Sequence, residues 1–321
     1  MISRIRVRSS GPVLALSGGV GGAKLALGLY RILPRDTLTV VANTGDDFTH
    51  LGLSVSPDID TLLYTLSGLA NEEQGWGRRD ETWTFMAALE RLGGETWFRL
   101  GDGDLATHVE RTRRLAAGES LTAITDDFAR RLGIAARILP MSGERVRTRI
   151  QSANGWLDFQ DYFVRLHCEP IVRQITFAGA ADATPHGDAI ALLRDPALRL
   201  VVICPSNPFI SIDPILSLPG MRAALRDCPA PVVAVSPIIG GKAVKGPTAK
   251  MMEELGLPVD AASVARHYGN LVDVYVADDE DADAVAGLGM PVVLTRTLMT
   301  TLADREALAR TVLAAPDRIP T

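Results

Sequence analysis

The chain has only three cysteines among its 321 residues, at positions 168, 204 and 228. None belongs to a CxxC pair or shows metal-ligand spacing. That excludes a disulfide framework, fits a reducing compartment, and leaves all three as buried packing groups. Long apolar runs are also missing, since none approaches the roughly 18 residues that cross a bilayer. The basic start, Met1 to Arg8, is followed by a short apolar stretch, Val13 to Leu16, which Ser17-Gly18-Gly19 interrupts. That is too short for the apolar segment of a signal peptide. A cytoplasmic protein without a membrane partner is expected. Positive charge is not in excess: 33 Lys and Arg stand against 38 Asp and Glu, a net charge of −5. The basic footprint of a nucleic-acid binder is absent. Arg111, Arg113 and Arg114 fall on a helical pattern and read as a solvated face. No repeat of about 20–50 residues and no low-complexity tract occurs.

Apolar residues make up 47% of the chain and charged residues 22%, the balance of a folded globular protein rather than a disordered one. At roughly 100–200 residues per domain, the length suits one large domain or two intimate ones. Short apolar runs recur at Val13–Leu16, Leu38–Ala42, Leu200–Cys204, Val232–Ser236, Asp273–Ala277 and Pro291–Leu294, with helical patterns between them. A glycine loop is expected to precede a helix over about Ala23–Ile32. Another helix is expected to start at Ser56-Pro57-Asp58, with Ser56 as cap. A last helix spans Leu302–Leu313. Uninterrupted apolar strands fit a sheet covered on both faces. The alternation predicts an α/β fold: a doubly wound, mostly parallel, Rossmann-like sheet. The nucleotide-binding core is assigned to 1–69 and 186–321. Residues 70–185 form an inserted, helix-richer lobe that contributes to the acceptor site, with a hairpin around Asn154-Gly155.

Ligands of doubly wound sheets gather at the carboxyl ends of the strands. There the sequence places Ser17-Gly18-Gly19-Val20-Gly21-Gly22-Ala23-Lys24, whose amides and lysine suit an anion. Its spacing matches neither a strict dinucleotide fingerprint nor a Walker A loop. Asn43-Thr44-Gly45-Asp46-Asp47 follows the second strand and reads either as a Mg²⁺ site or as a capped turn. Asp58 and Asp60 stand two apart, so on a helix they diverge by about 200° and only one faces a given ligand. Arg99 to His108 combines cation, glycines and acids but lacks the twelfth-position acid of an EF-hand. Pro205-Ser206-Asn207-Pro208 is a stiff polar loop. Ser236 to Gly241, followed by Lys242 and Lys245, closes the set.

Together SGGVGGAKL (17–25), NTGDD (43–47), SPDIDT (56–61), GWGRRDETW (75–83), RLGDGDLATH (99–108), FQDYF (159–163), PSNP (205–208), SLPGMR (217–222), SPIIGG (236–241) and TLMT (297–300) resemble the 2-phospho-L-lactate transferase family of coenzyme F-420 biosynthesis. The resemblance runs over nearly the whole chain and favours the bacterial phosphoenolpyruvate transferase type. It implies transfer of a phosphorylated three-carbon acid from a guanosine diphosphate-linked donor to the deazaflavin Fo, with release of GMP. It also implies a Mg²⁺ requirement and a homodimer. On this resemblance Asp60 is catalytic, and Asp60 with Arg99 holds the deazaflavin. Gly18, Gly19, Gly21, Gly22, Lys24, Asn43, Ser206 and Asn207 lie at the nucleotide and its phosphates. Asp46 and Asp58 are the candidate metal ligands. Gly103 stands where the family usually carries arginine, with Lys24, Lys242 or Arg145 as candidate substitutes. The alternative is a nucleotide-sugar-binding regulatory protein of the related gluconeogenesis-factor type, which shares the fold and the glycine and PSNP-like loops.

Overall fold

The computed structural model describes residues 7–244 and 246–319. Seven parallel strands form the central sheet: β1 (Val13–Ser17), β2 (Leu38–Ala42), β3 (Arg137–Pro140), β4 (Leu200–Ile203), β5 (Val232–Val235), β6 (Val274–Ala277) and β7 (Val292–Leu294). Their spatial order is β7-β6-β5-β4-β1-β2-β3, and every pairing is parallel. Successive side chains of a strand point to opposite faces. Leu14 and Leu16 therefore enter one core, with Val41, Val201 and Ile203. Val13 and Ala15 enter the other, with Val40, Leu200 and Val202. Helices cover both faces, which is why these strands are apolar without alternation. The chain builds outward in one direction through β1, β2 and β3, then in the other from β4 to β7. The switch point falls between β1 and β4, where such sheets open a crevice.

Two sequence expectations need correction. Helix α1 runs from Gly19 to Ile32, so the glycines form its first turn rather than a loop ahead of it. Close packing explains why the turn is glycine-rich: a Cβ on Gly21 would stand 2.5 Å from the Pro205 carbonyl oxygen. The 70–185 segment is not wholly a separate lobe either. Its strand β3 pairs with β2 at an edge of the main sheet, and helix Leu121–Arg131 packs along it. The rest of that segment includes an antiparallel sheet of Arg147–Ser152 between Gly155–Asp158 and Gln174–Ala178, joined by the expected Asn154-Gly155 turn. Helix α2 spans Pro57–Ser67, helix α3 Asp102–Ala116 and helix α4 Leu302–Ala314. Cys204 and Cys228 are buried as expected, whereas Cys168 is half-buried. Among the described residues no helix is long and apolar enough to cross a membrane.

Candidate functional site

A cleft of about 700 Å³ opens at the switch point. Gly18 and Ser206 meet at its base, where the Gly18 N–H donates to Ser206 Oγ at 3.1 Å. Asn207 caps the turn after it, accepting from the N–H groups of Phe209 and Ile210. The first turn of α1 borders the cleft through Gly18, Gly19, Val20 and Gly21. Helix geometry directs the N–H groups of a first turn outward, which favours an anion, although here the Gly18 N–H is already spent on Ser206 and the Gly19 N–H on Asp58. Lys24 lines the same wall and donates from Nζ to the Met299 carbonyl, which ties the 297–299 segment to α1.

Asp58 stands against the same α1 turn. Asp58 Oδ1 accepts the Gly19 N–H at 2.6 Å, and its Oδ2 accepts from Asn43 Nδ2 at 2.9 Å. Asn43 also donates to the Ile210 carbonyl and accepts from the Gly45 N–H. With its amide spent on protein partners and no exposed surface, Asn43 does not line the cleft. It holds Asp58 and the Gly45 turn rather than a nucleotide. Gly22 is likewise withdrawn, because a Cβ there would stand 2.4 Å from both Ser17 Oγ and Ser206 Oγ. Ser56 begins α2 but makes no side-chain cap; its hydroxyl donates to Asp47 Oδ2.

Asp46, Asp58 and Asp60 all border the cleft and are all buried. Burial, then the Asp58 charge, pushes Asp46 well above the usual carboxylate range. Burial lifts Asp58 to about 6, against the lowering effect of its Gly19 and Asn43 hydrogen bonds. Asp47, whose burial outweighs the opposing Arg147 charge, is lifted to about 7. Among the described residues no three His, Cys, Asp or Glu side chains are grouped for a metal. Mg²⁺, however, is commonly held by one or two carboxylates plus water and phosphate oxygens. Asp46 and Asp58 fit that demand as a desolvated acid pair short of positive charge.

Asp60 faces the other way around α2, as its spacing from Asp58 requires. It does not stand alone: Arg111 grips both of its carboxylate oxygens. Arg111 is 1% exposed, which overturns the reading of 111, 113 and 114 as one solvated face. Arg113 does face water, paired with Glu110. His108, Asp104 and Tyr64 complete this wall. Their signal was present in the sequence. Asp104, His108 and Arg111 stand at i, i+4 and i+7 of one helix, and Asp60 and Tyr64 at i and i+4 of another.

The cleft is also lined by aromatic rings, Trp76, Trp97, Phe98 and Phe163 among them. Phe163 stacks on Phe159 at 5.3 Å. Arg99 borders the cleft and lies 4.3 Å over the Trp83 ring. Aromatic rings beside a cation suit a planar ring system. Of the three candidate cations, Lys24 lines the cleft, whereas Lys242 and Arg145 do not. Arg78 Nη1 donates to the Gly103 carbonyl at 3.0 Å but is outside that lining as well. Lys245 lies outside the described residues.

Residues 13–289 match the family described as 2-phospho-L-lactate transferase CofD. A phosphoenolpyruvate transferase from Kitasatospora aureofaciens is 41% identical over 317 residues, covering 96% of this chain and 98% of its own. A protein of the same name from Mycobacterium tuberculosis is 37% identical over 330 aligned positions, covering 95% of this chain and 98% of its own. A solved structure from Bacillus halodurans, a member of the UPF0052 family, superposes with a TM-score of 0.65 at 13% identity. It covers 95% of this chain and 99% of that one, which speaks for the fold alone. By its matched length and its relatives, this chain belongs to the 2-phospho-L-lactate transferase CofD family.

Proposed function

We propose that the protein transfers a phosphorylated three-carbon acid, of the phosphoenolpyruvyl type, from a guanosine diphosphate-linked donor to the ribityl hydroxyl of the deazaflavin Fo, releasing GMP. The observation that carries this reading is one cleft lined by two chemically different sets of residues. The α1 turn, Lys24 and Ser206 offer an anion site, and the aromatic rings with Arg99 offer a site for a planar ring. Asp46, Asp58 and Asp60 border the same cleft. The names of the relatives favour the enolpyruvyl donor. The guanine and the Fo acceptor are implied by the family resemblance.

In the proposed reaction the Fo hydroxyl oxygen bonds the phosphorus that carries the three-carbon acid. The diphosphate bridge breaks and GMP leaves. Such transfers depend on positioning and charge neutralisation more than on covalent help from the protein. Asp60 accepts the hydroxyl hydrogen and aims its oxygen, and Arg99 holds the acceptor through its planar fork. The N–H groups of the α1 turn and Lys24 take up diphosphate charge. Asp46 and Asp58 would hold Mg²⁺, which when bound neutralises phosphate charge. A homodimer remains part of the reading, tested by light scattering of the purified protein.

The decisive experiment incubates the protein and Mg²⁺ with Fo and each of three guanosine diphosphate-linked donors: enolpyruvyl, phospholactyl and phosphoglyceryl. GMP release and the product mass are followed. The reading expects stoichiometric GMP and an Fo adduct, fastest with the enolpyruvyl donor. Binding of nucleotide with no GMP and no adduct from any donor would transfer the case to the regulatory alternative.

A further inference from the structure

Arg111 is buried in the wall behind the cleft but does not line it. Its Nη2 donates to Asp60 Oδ1 and its Nη1 to Asp60 Oδ2 at 3.1 Å. Nη1 also lies 3.3 Å from His108 Nδ1 and 3.4 Å from the Ser54 carbonyl. A guanidinium offers only donors, so His108 Nδ1 accepts and the ring proton sits on Nε2. Nδ1 is 3.7 Å from Asp60 Oδ2, beyond hydrogen-bond reach. Nε2 is 3.2 Å from Asp104 Oδ2 but makes no hydrogen bond there, and the Tyr64 hydroxyl donates to Asp104 Oδ1 at 2.6 Å. One cation thus sets one carboxylate that borders the cleft and the imidazole beside it.

Stability alone is a poor account of this arrangement. A buried ion pair is commonly no better than apolar packing of the same volume. Arg111 Nε is buried without a partner, which adds an unsatisfied donor. The hydrogen bonds that Arg111 does make converge on side chains of the cleft wall. We propose that Arg111 is a positioning residue, fixing Asp60 directly and the tautomer of His108 beside it at the acceptor wall of the cleft. The inference rests on the acceptor reading given above.

A double-mutant cycle tests it, with Arg111→Lys and Asp60→Asn made singly and together. Lysine keeps the charge but not the two-armed geometry. Arg111→Lys is expected to lower kcat by about 10- to 100-fold, the scale of a small misplacement at a reacting centre, with the donor KM unchanged. On the Asp60→Asn background the same change is expected to cost less than about threefold, because the two act as one unit. Losses that multiply, or a wild-type kcat in Arg111→Lys, overturn the proposal. Wild-type turnover of Fo in the same series reports separately on the acceptor reading. Ring ¹⁵N shifts of His108 need no substrate. A ring protonated at Nε2 alone supports the proposal, even where Arg111→Lys fails to fold. A ring protonated at Nδ1, or at both nitrogens, overturns it.

Discussion

Asp58 Oδ1 accepts the backbone N–H of Gly19 at 2.6 Å, so the first turn of α2 is tied to the first turn of α1. The other oxygen is held by Asn43, itself hydrogen-bonded across to the Ile210 carbonyl. The acid is thereby oriented by three separate segments before any ligand arrives.

Under the proposed function, Asp46 and Asp58 hold Mg²⁺. Asp46→Asn and Asp58→Asn are each expected to raise the half-saturating Mg²⁺ by about tenfold, or ~1.4 kcal/mol, as a charged ligand oxygen is lost. Initial rates against Mg²⁺ check this, and an unchanged metal curve in both variants clears the two acids of ligation.

Asp60 has a structural partner, so its variants separate two effects. Asp60→Ala strands a buried guanidinium and is expected to cost about 3–5 kcal/mol of stability. Asp60→Asn keeps the shape and is expected to lose about 10²-fold in kcat with a smaller thermal penalty. Thermal unfolding alongside turnover with saturating Fo distinguishes them. Near-wild-type kcat in Asp60→Asn would remove this residue from the reaction.

The aromatic lining of the cleft predicts a KM effect. Phe163→Ala removes a ring that borders the cleft and stacks on Phe159. The Fo KM is expected to rise about fivefold to tenfold, ~1–1.4 kcal/mol, with the donor KM unchanged. A rise confined to the donor KM would assign the ring to the donor instead.

Gly28 marks where α1 crosses α4. A Cβ there would stand 2.1 Å from the Arg305 carbonyl oxygen, a backbone atom that cannot swing aside. Helix propensity alone favours Gly→Ala by about 1 kcal/mol. Overpacking is expected to win, with Gly28→Ala destabilised by about 1–3 kcal/mol and turnover of the folded fraction unchanged. A Tm at or above wild type in differential scanning calorimetry contradicts this crossing.

His50 gives a pH dependence. It is buried beside Phe48, Trp97 and Phe98, and its Nε2 has no partner. Burial, opposed by Glu95 and aided by Arg165 and His108, holds its pKa below the ordinary 6.5. The unfolded chain therefore takes up this proton at a higher pH than the folded one. Stability is lost as pH falls below about 6.5 toward the folded value. His50→Phe is expected to show a smaller drop in Tm between pH 7.5 and 5.5 than the wild type, and an equal drop would remove His50 as a cause.

Much of this molecule is decided locally. The buried runs Val13–Ser17, Leu200–Ile203 and Val232–Val235 announce strands covered on both faces, because only such strands can omit polar alternation. The glycine stretch, the 58–60 acids and Ser206 were legible as one site, since a doubly wound sheet brings the ends of its strands together. Burial and pairing were not legible, because they are set by residues far apart in the chain. The run around Arg111 looks solvated until α3 is laid against α2, which brings it to an acid 51 residues away. Asn43 looks like a ligand group until the Ile210 carbonyl and Asp58 arrive to use up its amide. Residue pattern determined which elements form and where their ends gather. Packing across the sheet decided which polar groups face the cleft and which are spent holding the others, since hydrogen-bond capacity is finite and its partners come from the whole fold.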